Sequence, residues 1–165
     1  MAELELTRTK EDRRLYALEG VGTLRLEGLS GRRATAEAGG SRWQLGRVGF
    51  WQRTIHATDE SGDVAGEFDP RTIRRGGSLR WRARELELRP ATIWSERYAL
   101  ADGEQELVVI EGKSWGKRPI RITIEDPRAL EPGLLLFAAF VVRGLAEDAS
   151  SSAAAGASAA TASSG

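Results

Sequence analysis

Nine consecutive apolar residues, Leu134–Val142, constrain this chain more than any other feature. A helix turns about 100° per residue, so an apolar run of this length leaves the helix without a polar face. The run is too short to cross a bilayer, which requires roughly 20 apolar residues. Charged residues flank it, with Glu131 on one side and Arg143, Glu147 and Asp148 on the other. The rest of the protein must therefore surround this helix.

Upstream of the apolar run, the chain is divided into short segments that have the character of strands. They show alternating apolar and polar residues, and breaks rich in Gly, Pro and Asp separate them. The twelve predicted strands are Glu3–Leu6, Arg14–Leu18, Thr23–Leu26, Arg33–Glu37, Arg42–Leu45, Arg53–Ala57, Val64–Glu67, Leu79–Ala83, Leu86–Arg89, Thr92–Leu100, Glu106–Ile110 and Ile120–Ile124.

Twelve short strands and one all-apolar helix predict a mainly β fold, a closed antiparallel β-barrel that encloses a C-terminal hydrophobic α-helix. Strands spaced roughly 4.8 Å apart and tilted by about 40° would give such a barrel a radius of about 12 Å. This space accommodates one helix about 10–12 Å across. The side chains expected to fill the barrel are Leu134, Leu135, Leu136, Phe137, Phe140 and Val141.

The domain boundaries follow from the helix and from the composition of the C-terminus. Pro132 suits the first position of a helix, where its missing N–H is not needed, and we expect the helix to end near Ala146. Residues 1–148 are therefore predicted to form one domain. Because Ser150–Gly165 contains only Ser, Ala, Gly and Thr, residues 149–165 are predicted to form a disordered tail.

The apolar positions change parity in one region of the chain. They are odd-numbered in Leu79–Ala83, whereas Leu86 and Leu88 are even-numbered. Side chains of a strand alternate between its two faces, so a change of parity requires a bulge, a bend or a tight turn. We expect this irregularity at Arg84 and Glu85.

The composition excludes several classes of function. Lys plus Arg equals Asp plus Glu at 24 each, which does not favour nucleic acid as a partner. The absence of cysteine excludes disulfides and thiolate sites, and the single histidine argues against zinc, so we expect no metal and no cofactor. The acidic N-terminus does not resemble a secretory signal. The expected location is cytoplasmic, peripheral at a membrane if the ligand is a lipid.

The order of the later segments resembles a known family. Many short strands lead into Tyr98–Leu100, then into Ile110–Arg118, and finally into the apolar helix. Over most of Glu3–Ala146, this order resembles the LURP-one-related proteins and the phospholipid scramblases of the tubby-like fold. The resemblance implies a β-barrel around a central helix. It also implies a link to lipids, because tubby proteins bind phosphoinositides and scramblases act on or near lipids.

A possible nucleophile motif occurs at Gly112–Gly116, which fits the pattern Gly-x-Ser-x-Gly around Ser114. A nucleophile elbow requires a strand before it, a helix after it, and the order serine, acid, histidine. Here Lys117–Pro119 leads into another strand, and the only histidine, His56, lies upstream. A structural hairpin is therefore the favoured interpretation of this segment.

Six arginines lie within fourteen residues: Arg71, Arg74, Arg75, Arg80, Arg82 and Arg84. If Leu79, Trp81 and Ala83 face inward, then Arg80, Arg82 and Arg84 form a row on the outer face. Guanidinium groups suit phosphate, so this row, together with Arg74 and Arg75, is a candidate anion-binding site. The alternative is a solvated face on which Glu67, Asp69 and Glu85 balance the charge of the arginines. The chain has 21 arginines and 3 lysines, which indicates a GC-rich genome and gives any cluster of arginines less weight.

We therefore expect a non-enzymatic binding or scaffolding barrel that recognises an anionic ligand, such as a phospholipid headgroup. A purely structural or protein-interaction barrel is the alternative. A serine hydrolase that uses Ser114 is a more distant one.

Overall fold

The structure, a computed structural model, describes residues 1–49, 51, 53–72, 75–92, 96–113 and 115–162, with side chains up to Ala155. It contains twelve strands, a short 3-10 helix at Pro127–Ala129 and one α-helix. The strands are β1 (Ala2–Arg8), β2 (Leu15–Leu18), β3 (Gly22–Glu27), β4 (Arg33–Ala38), β5 (Ser41–Arg47), β6 (Ile55–Asp59), β7 (Val64–Pro70), β8 (Gly77–Trp81), β9 (Arg84–Pro90), β10 (Arg97–Asp102), β11 (Gln105–Glu111) and β12 (Ile120–Ile124), and the helix is α1 (Pro132–Ala162).

The strands form one closed barrel in which each strand pairs with the next in sequence. All pairs are antiparallel, and β1 closes the barrel against β12 with Leu4 opposite Ile122. Closure leaves no strand edge unpaired, which removes the usual route to edge-to-edge aggregation. The predicted fold class is confirmed, and a closed twelve-stranded barrel with a C-terminal helix is consistent with the tubby-like fold.

Alternation along the strands determines which side chains enter the barrel. In β12, Ile120, Ile122 and Ile124 are buried, whereas Arg121 points outward and is exposed. The same pattern in β8 buries Leu79 and Trp81. Period-two alternation places one apolar row of each strand inside, where the helix completes the core.

The helix passes through the barrel as the sequence predicts. Residues 134–142 are between 0 and 5% exposed. The start of the helix fits closely, because a Cβ at Gly133 would lie 2.8 Å from ring atoms of both Trp43 and Trp81. The Trp81 ring in turn lies 5.9 Å from that of Phe137. The helix therefore packs against the inside of the barrel wall from its first turn.

The C-terminus differs from the prediction, because α1 continues to Ala162 where a disordered tail was expected from residue 149. The expectation of a disordered tail rested on burial, and burial does not describe how a helix that has already formed extends along the chain. The buried turns already supply the costly nucleus, and each added Ala residue then extends the helix at little cost. Residues 150–155 are helical although their side chains are exposed.

The parity change is explained by a tight turn, one of the three features expected, but this turn does not lie at Arg84 and Glu85. β8 ends at Trp81 and β9 begins at Arg84, so Arg82 and Ala83 form a two-residue turn. Arg82 has φ +55°, as the turns that match the twist of two-residue hairpins require. The turn lies two residues earlier than predicted, and Ala83 is exposed instead of facing inward.

Candidate anion-binding site

The up-and-down order of the strands sorts their connections between the two ends of the barrel. Connections that follow odd-numbered strands lie at one end, and those that follow even-numbered strands lie at the other. The first set consists of residues 9–14, 28–32, 48–54, 71–76, 91–96 and 112–119. The second consists of residues 19–21, 39–40, 60–63, 82–83 and 103–104, joined by residues 125–131 that lead into the helix.

Charge is divided unequally between these two sets. The described residues of the first set carry ten basic side chains (Lys10, Arg13, Arg14, Arg32, Arg53, Arg71, Arg75, Lys113, Lys117, Arg118) and three acidic ones (Glu11, Asp12, Glu96). We call this the basic end. The second set carries seven acidic side chains (Glu19, Glu60, Asp63, Glu104, Glu125, Asp126, Glu131) and two basic ones (Arg82, Arg128), and we call it the acidic end. A chain with no net charge is therefore strongly polarised along the barrel axis.

A cavity of 710 Å³ opens at the basic end, where the helix leaves the barrel. It lies between α1 and the connections 28–32, 48–54 and 71–76. Its inner wall consists of apolar and aromatic side chains from three strands and the helix: Ile55, Phe68, Tyr98, Phe140 and Val141. Its outer part is lined by six arginines, Arg32, Arg47, Arg53, Arg71, Arg75 and Arg143, and by two carboxylates, Glu147 and Asp148.

Three of these arginines each form an ion pair with a carboxylate. Arg47 Nη2 lies 3.1 Å from Asp148 Oδ2, Arg71 Nη2 lies 2.7 Å from Glu87 Oε1, and Arg143 Nη2 lies 2.7 Å from Glu147 Oε1.

The other three arginines, Arg32, Arg53 and Arg75, are exposed at the cavity. They form no ion pair within the part of the chain that the structure describes. Guanidinium groups suit phosphate and carboxylate oxygens, so these three arginines make the cavity the candidate anion-binding site.

Arg143 holds the helix against one wall of the cavity. Its side chain is only 12% exposed, and Nη1 donates a hydrogen bond of 2.8 Å to the carbonyl oxygen of Gly31. The guanidinium also lies 5.7 Å from the ring centre of Trp115. Gly31 has φ +60°, and a Cβ there would lie 2.8 Å from Arg143 Nη2. The connection 28–32 is therefore shaped around this arginine.

Tyr98 connects the apolar wall to the charged outer part. Burial raises the pKa of the Tyr98 hydroxyl, and the positive charge of Arg75 opposes that rise. The negative charge of Glu96 adds to the rise, and Tyr98 and Arg75 both line the cavity.

Exposed apolar side chains flank the cavity on the same end of the barrel. Leu29 is fully exposed, Trp51 is 91% exposed, and Val48 is 37% exposed. All three lie in the connections 28–32 and 48–54, beside Arg32 and Arg53. Apolar tips next to unpaired cations are typical of surfaces that contact the interface of an anionic membrane.

The predicted row of arginines does not form. Arg80 lies on the outer face of β8, with Nη2 3.4 Å from Glu67 Oε2. Arg82 lies in the turn and donates to Glu131 Oε2 at 3.0 Å.

Arg84 follows that turn on the inner face, opposite Trp81. Its guanidinium donates to Asp102 Oδ2 and to the carbonyl oxygen of Ala129. Arg80, Arg82 and Arg84 thus bind acidic partners, which agrees with the alternative of a charge-balanced surface.

The arginine cluster of the sequence is instead split between the two ends. β8 crosses the barrel wall, so Arg71 and Arg75 lie at the basic end while Arg82 and Arg84 lie at the acidic end. Arg75 is the predicted site residue that the structure places at the cavity, and Arg74 lies outside the described residues.

Sequence reasoning missed Arg32, Arg47, Arg53 and Arg143, because they come from four separate segments. Adding the charges of alternate connections along the predicted meander would have revealed the basic end.

The nucleophile motif does not have the structural setting that it requires. Ser114 itself lies outside the described residues, but the element that follows β11 is the strand β12 rather than a helix. His56 lies on the outer face of β6, with Nε2 3.1 Å from Glu67 Oε2. Across the described residues, no three His, Asp or Glu side chains are close enough together to hold a metal ion.

The fold and the site together define a class of protein: a closed β-barrel around a helix, with a cationic cavity where the helix leaves. Neither a family model, a curated protein nor a solved structure matches the chain in comparisons with known proteins. Among the residues that the structure describes, no helix is long and apolar enough to cross a membrane.

Proposed function

We propose that this protein is a non-enzymatic binding module whose basic end recognises a phosphate-bearing anion, in particular a phospholipid headgroup at a membrane surface. The observation that carries the proposal is the cavity with three unpaired arginines, Arg32, Arg53 and Arg75. A guanidinium group forms paired hydrogen bonds with phosphate oxygens, and such charge-assisted bonds are about twice as strong as neutral ones. The acidic opposite end would turn the basic end toward an anionic surface.

The exposed side chains favour a lipid over a free anion. A site for a soluble anion gains nothing from Leu29 and Trp51 at the surface, whereas a site at a membrane gains from placing them in the headgroup region. The proposal includes kinship with the LURP-one-related and tubby-like proteins, supported by the barrel and its central helix. A cytoplasmic protein that is peripheral at the membrane fits this arrangement.

A catalytic role is not part of the proposal. The segment around Ser114 leads into a strand, and His56 is paired with Glu67 on the outside of the barrel. The competing function is a purely structural or protein-interaction barrel, in which the basic end would bind no lipid.

The test is sedimentation with vesicles of phosphatidylcholine alone and vesicles that also contain phosphatidylserine. We expect binding only to the anionic vesicles and a steep loss as salt is raised. Each basic residue near such a surface contributes about 1 kcal/mol, so the double variant Arg53→Gln and Arg75→Gln should bind roughly 30-fold more weakly.

A matched control is available at the acidic end. Arg42→Gln together with Arg82→Gln removes the same number of charges from exposed positions, and this variant should bind as the wild type does. Equal losses in the two double variants would mean that only net charge matters. That result, or a wild type that does not bind anionic vesicles at low salt, would refute the proposed site.

A further inference from the structure

We infer that the cavity at the basic end binds a whole anionic amphiphile, with the phosphate on the arginines and the hydrocarbon chain against the apolar inner wall. This inference rests on the proposed function and extends it, since it specifies how much of the ligand enters the protein. A headgroup alone would use only the outer part of the cavity.

The size of the cavity is the first argument. A phosphate group occupies little more space than one or two water molecules, each of which takes about 30 Å³ in the liquid. The cavity measures 710 Å³, within the range of about 300–1,000 Å³ found for sites that enclose complete small ligands. Most of its volume would remain unused if the ligand were a phosphate group alone.

The distribution of polar groups is the second argument. The unpaired arginines lie on the exposed connections, whereas Ile55, Phe68 and Phe140 lie below them and are at most 7% exposed. The cavity therefore changes from cationic to apolar along its depth. A ligand that is anionic at one end and hydrocarbon at the other has the same order of chemistry.

The helix supplies a third argument, because it presents both kinds of surface to the cavity. Phe140 and Val141 lie deep, Leu145 is half-buried above them, and Glu147 and Asp148 lie near the opening. The two carboxylates are already bound to Arg143 and Arg47. Because these pairs neutralise Arg47 and Arg143, the remaining positive charge at the opening comes from Arg53 and Arg75, on the side opposite the helix.

The test is a calorimetric binding series with alkyl phosphates of four, six, eight and ten carbons, each used below its micelle concentration, and with glycerol 3-phosphate as the headgroup alone. Affinity should increase with chain length, by about fourfold for each methylene that becomes fully buried, and should stop increasing once the apolar wall is covered. The heat capacity change of binding should become more negative along the same series.

Alkyltrimethylammonium ions of matched length are the control for non-specific apolar binding, and they should not bind. The variant Leu145→Gln changes a half-buried position that already faces the cavity. It should weaken the dependence on chain length, so that affinity rises less between the four-carbon and the ten-carbon phosphate than it does in the wild type. The variant Arg53→Gln with Arg75→Gln should weaken every phosphate in the series.

The outcomes separate this inference from the function on which it rests. If glycerol 3-phosphate and all alkyl phosphates bind equally, the ligand contributes only its headgroup and the inference is wrong, while the proposed function stands. If no phosphate binds, the proposed function itself is wrong. If the cationic amphiphiles bind as tightly as the phosphates, the arginines do not select the ligand and the inference is also wrong.

Discussion

The most direct test of this architecture is Phe137→Ala in the middle of the buried part of the helix. Phe137 is 0% exposed, its ring lies 5.9 Å from that of Trp81, and a Cβ at Gly66 would lie 3.1 Å from its Cδ1. Truncation would leave a space that the Trp81 ring and Gly66 cannot fill and that solvent cannot reach. Such substitutions cost about 3–5 kcal/mol, a large part of a total stability of about 5–15 kcal/mol.

Phe140→Ala is the matched comparison on the same helix. Phe140 is also buried, but it lines the cavity at the basic end, so truncation enlarges a space that is already open. We expect a loss nearer to the transfer free energy alone, about 1.5–3 kcal/mol. The difference between the two variants therefore measures how dry and closely packed the interior is around Phe137.

The assay is urea unfolding followed by circular dichroism, with stability taken from the midpoint and the slope. The slope should be the same in both variants if neither changes the extent of unfolding. A loss below about 1 kcal/mol for Phe137→Ala, or a loss smaller than that of Phe140→Ala, would contradict a helix that forms the core of the barrel.

Three further changes test the ends of the helix. Glu131 accepts hydrogen bonds from Trp81 and Arg82, which lower the pKa of its carboxyl. Glu131→Gln should therefore reduce the free energy of unfolding by about 0.5–1 kcal/mol at neutral pH. The difference in melting temperature between this variant and the wild type should vanish as the pH falls through that lowered pKa. Deleting residues 150–165 should reduce the helical signal at 222 nm and change stability by less than about 0.5 kcal/mol; an unchanged signal would mean that this segment is not helical. Glu147→Gln with Asp148→Asn should release two arginines and tighten binding to anionic vesicles, and weaker binding would contradict the assigned role of the cavity.

The local pattern of the sequence was sufficient for the elements and for the fold class. Alternation and turn residues are local properties of the chain, so each of the twelve strands overlaps a predicted segment, and Ile120–Ile124 was predicted with the bounds that it has. The predicted strand Thr92–Leu100 was placed too early: β10 begins at Arg97, and residues 93–95 lie outside the described residues. The all-apolar run Leu134–Val142 required an enclosing wall, and a closed wall of twelve strands leaves a central space that accommodates one helix. These conclusions depend on neighbours in sequence, and the sequence contains that information directly.

The site depended on neighbours in space, and here the sequence was misleading. Six arginines that are close together in the chain lie at both ends of the barrel, because β8 carries the chain from one end to the other. The position of one turn, at Arg82 rather than at Arg84, moved Arg84 from the outer face to the inner one.

The cavity arginines come from three connections, from the end of β5 and from α1, and antiparallel closure brings them to one end. A net charge of zero is a sum over the whole chain. Only the tertiary structure decides where the charges lie, because strands of alternating direction separate consecutive connections to opposite ends.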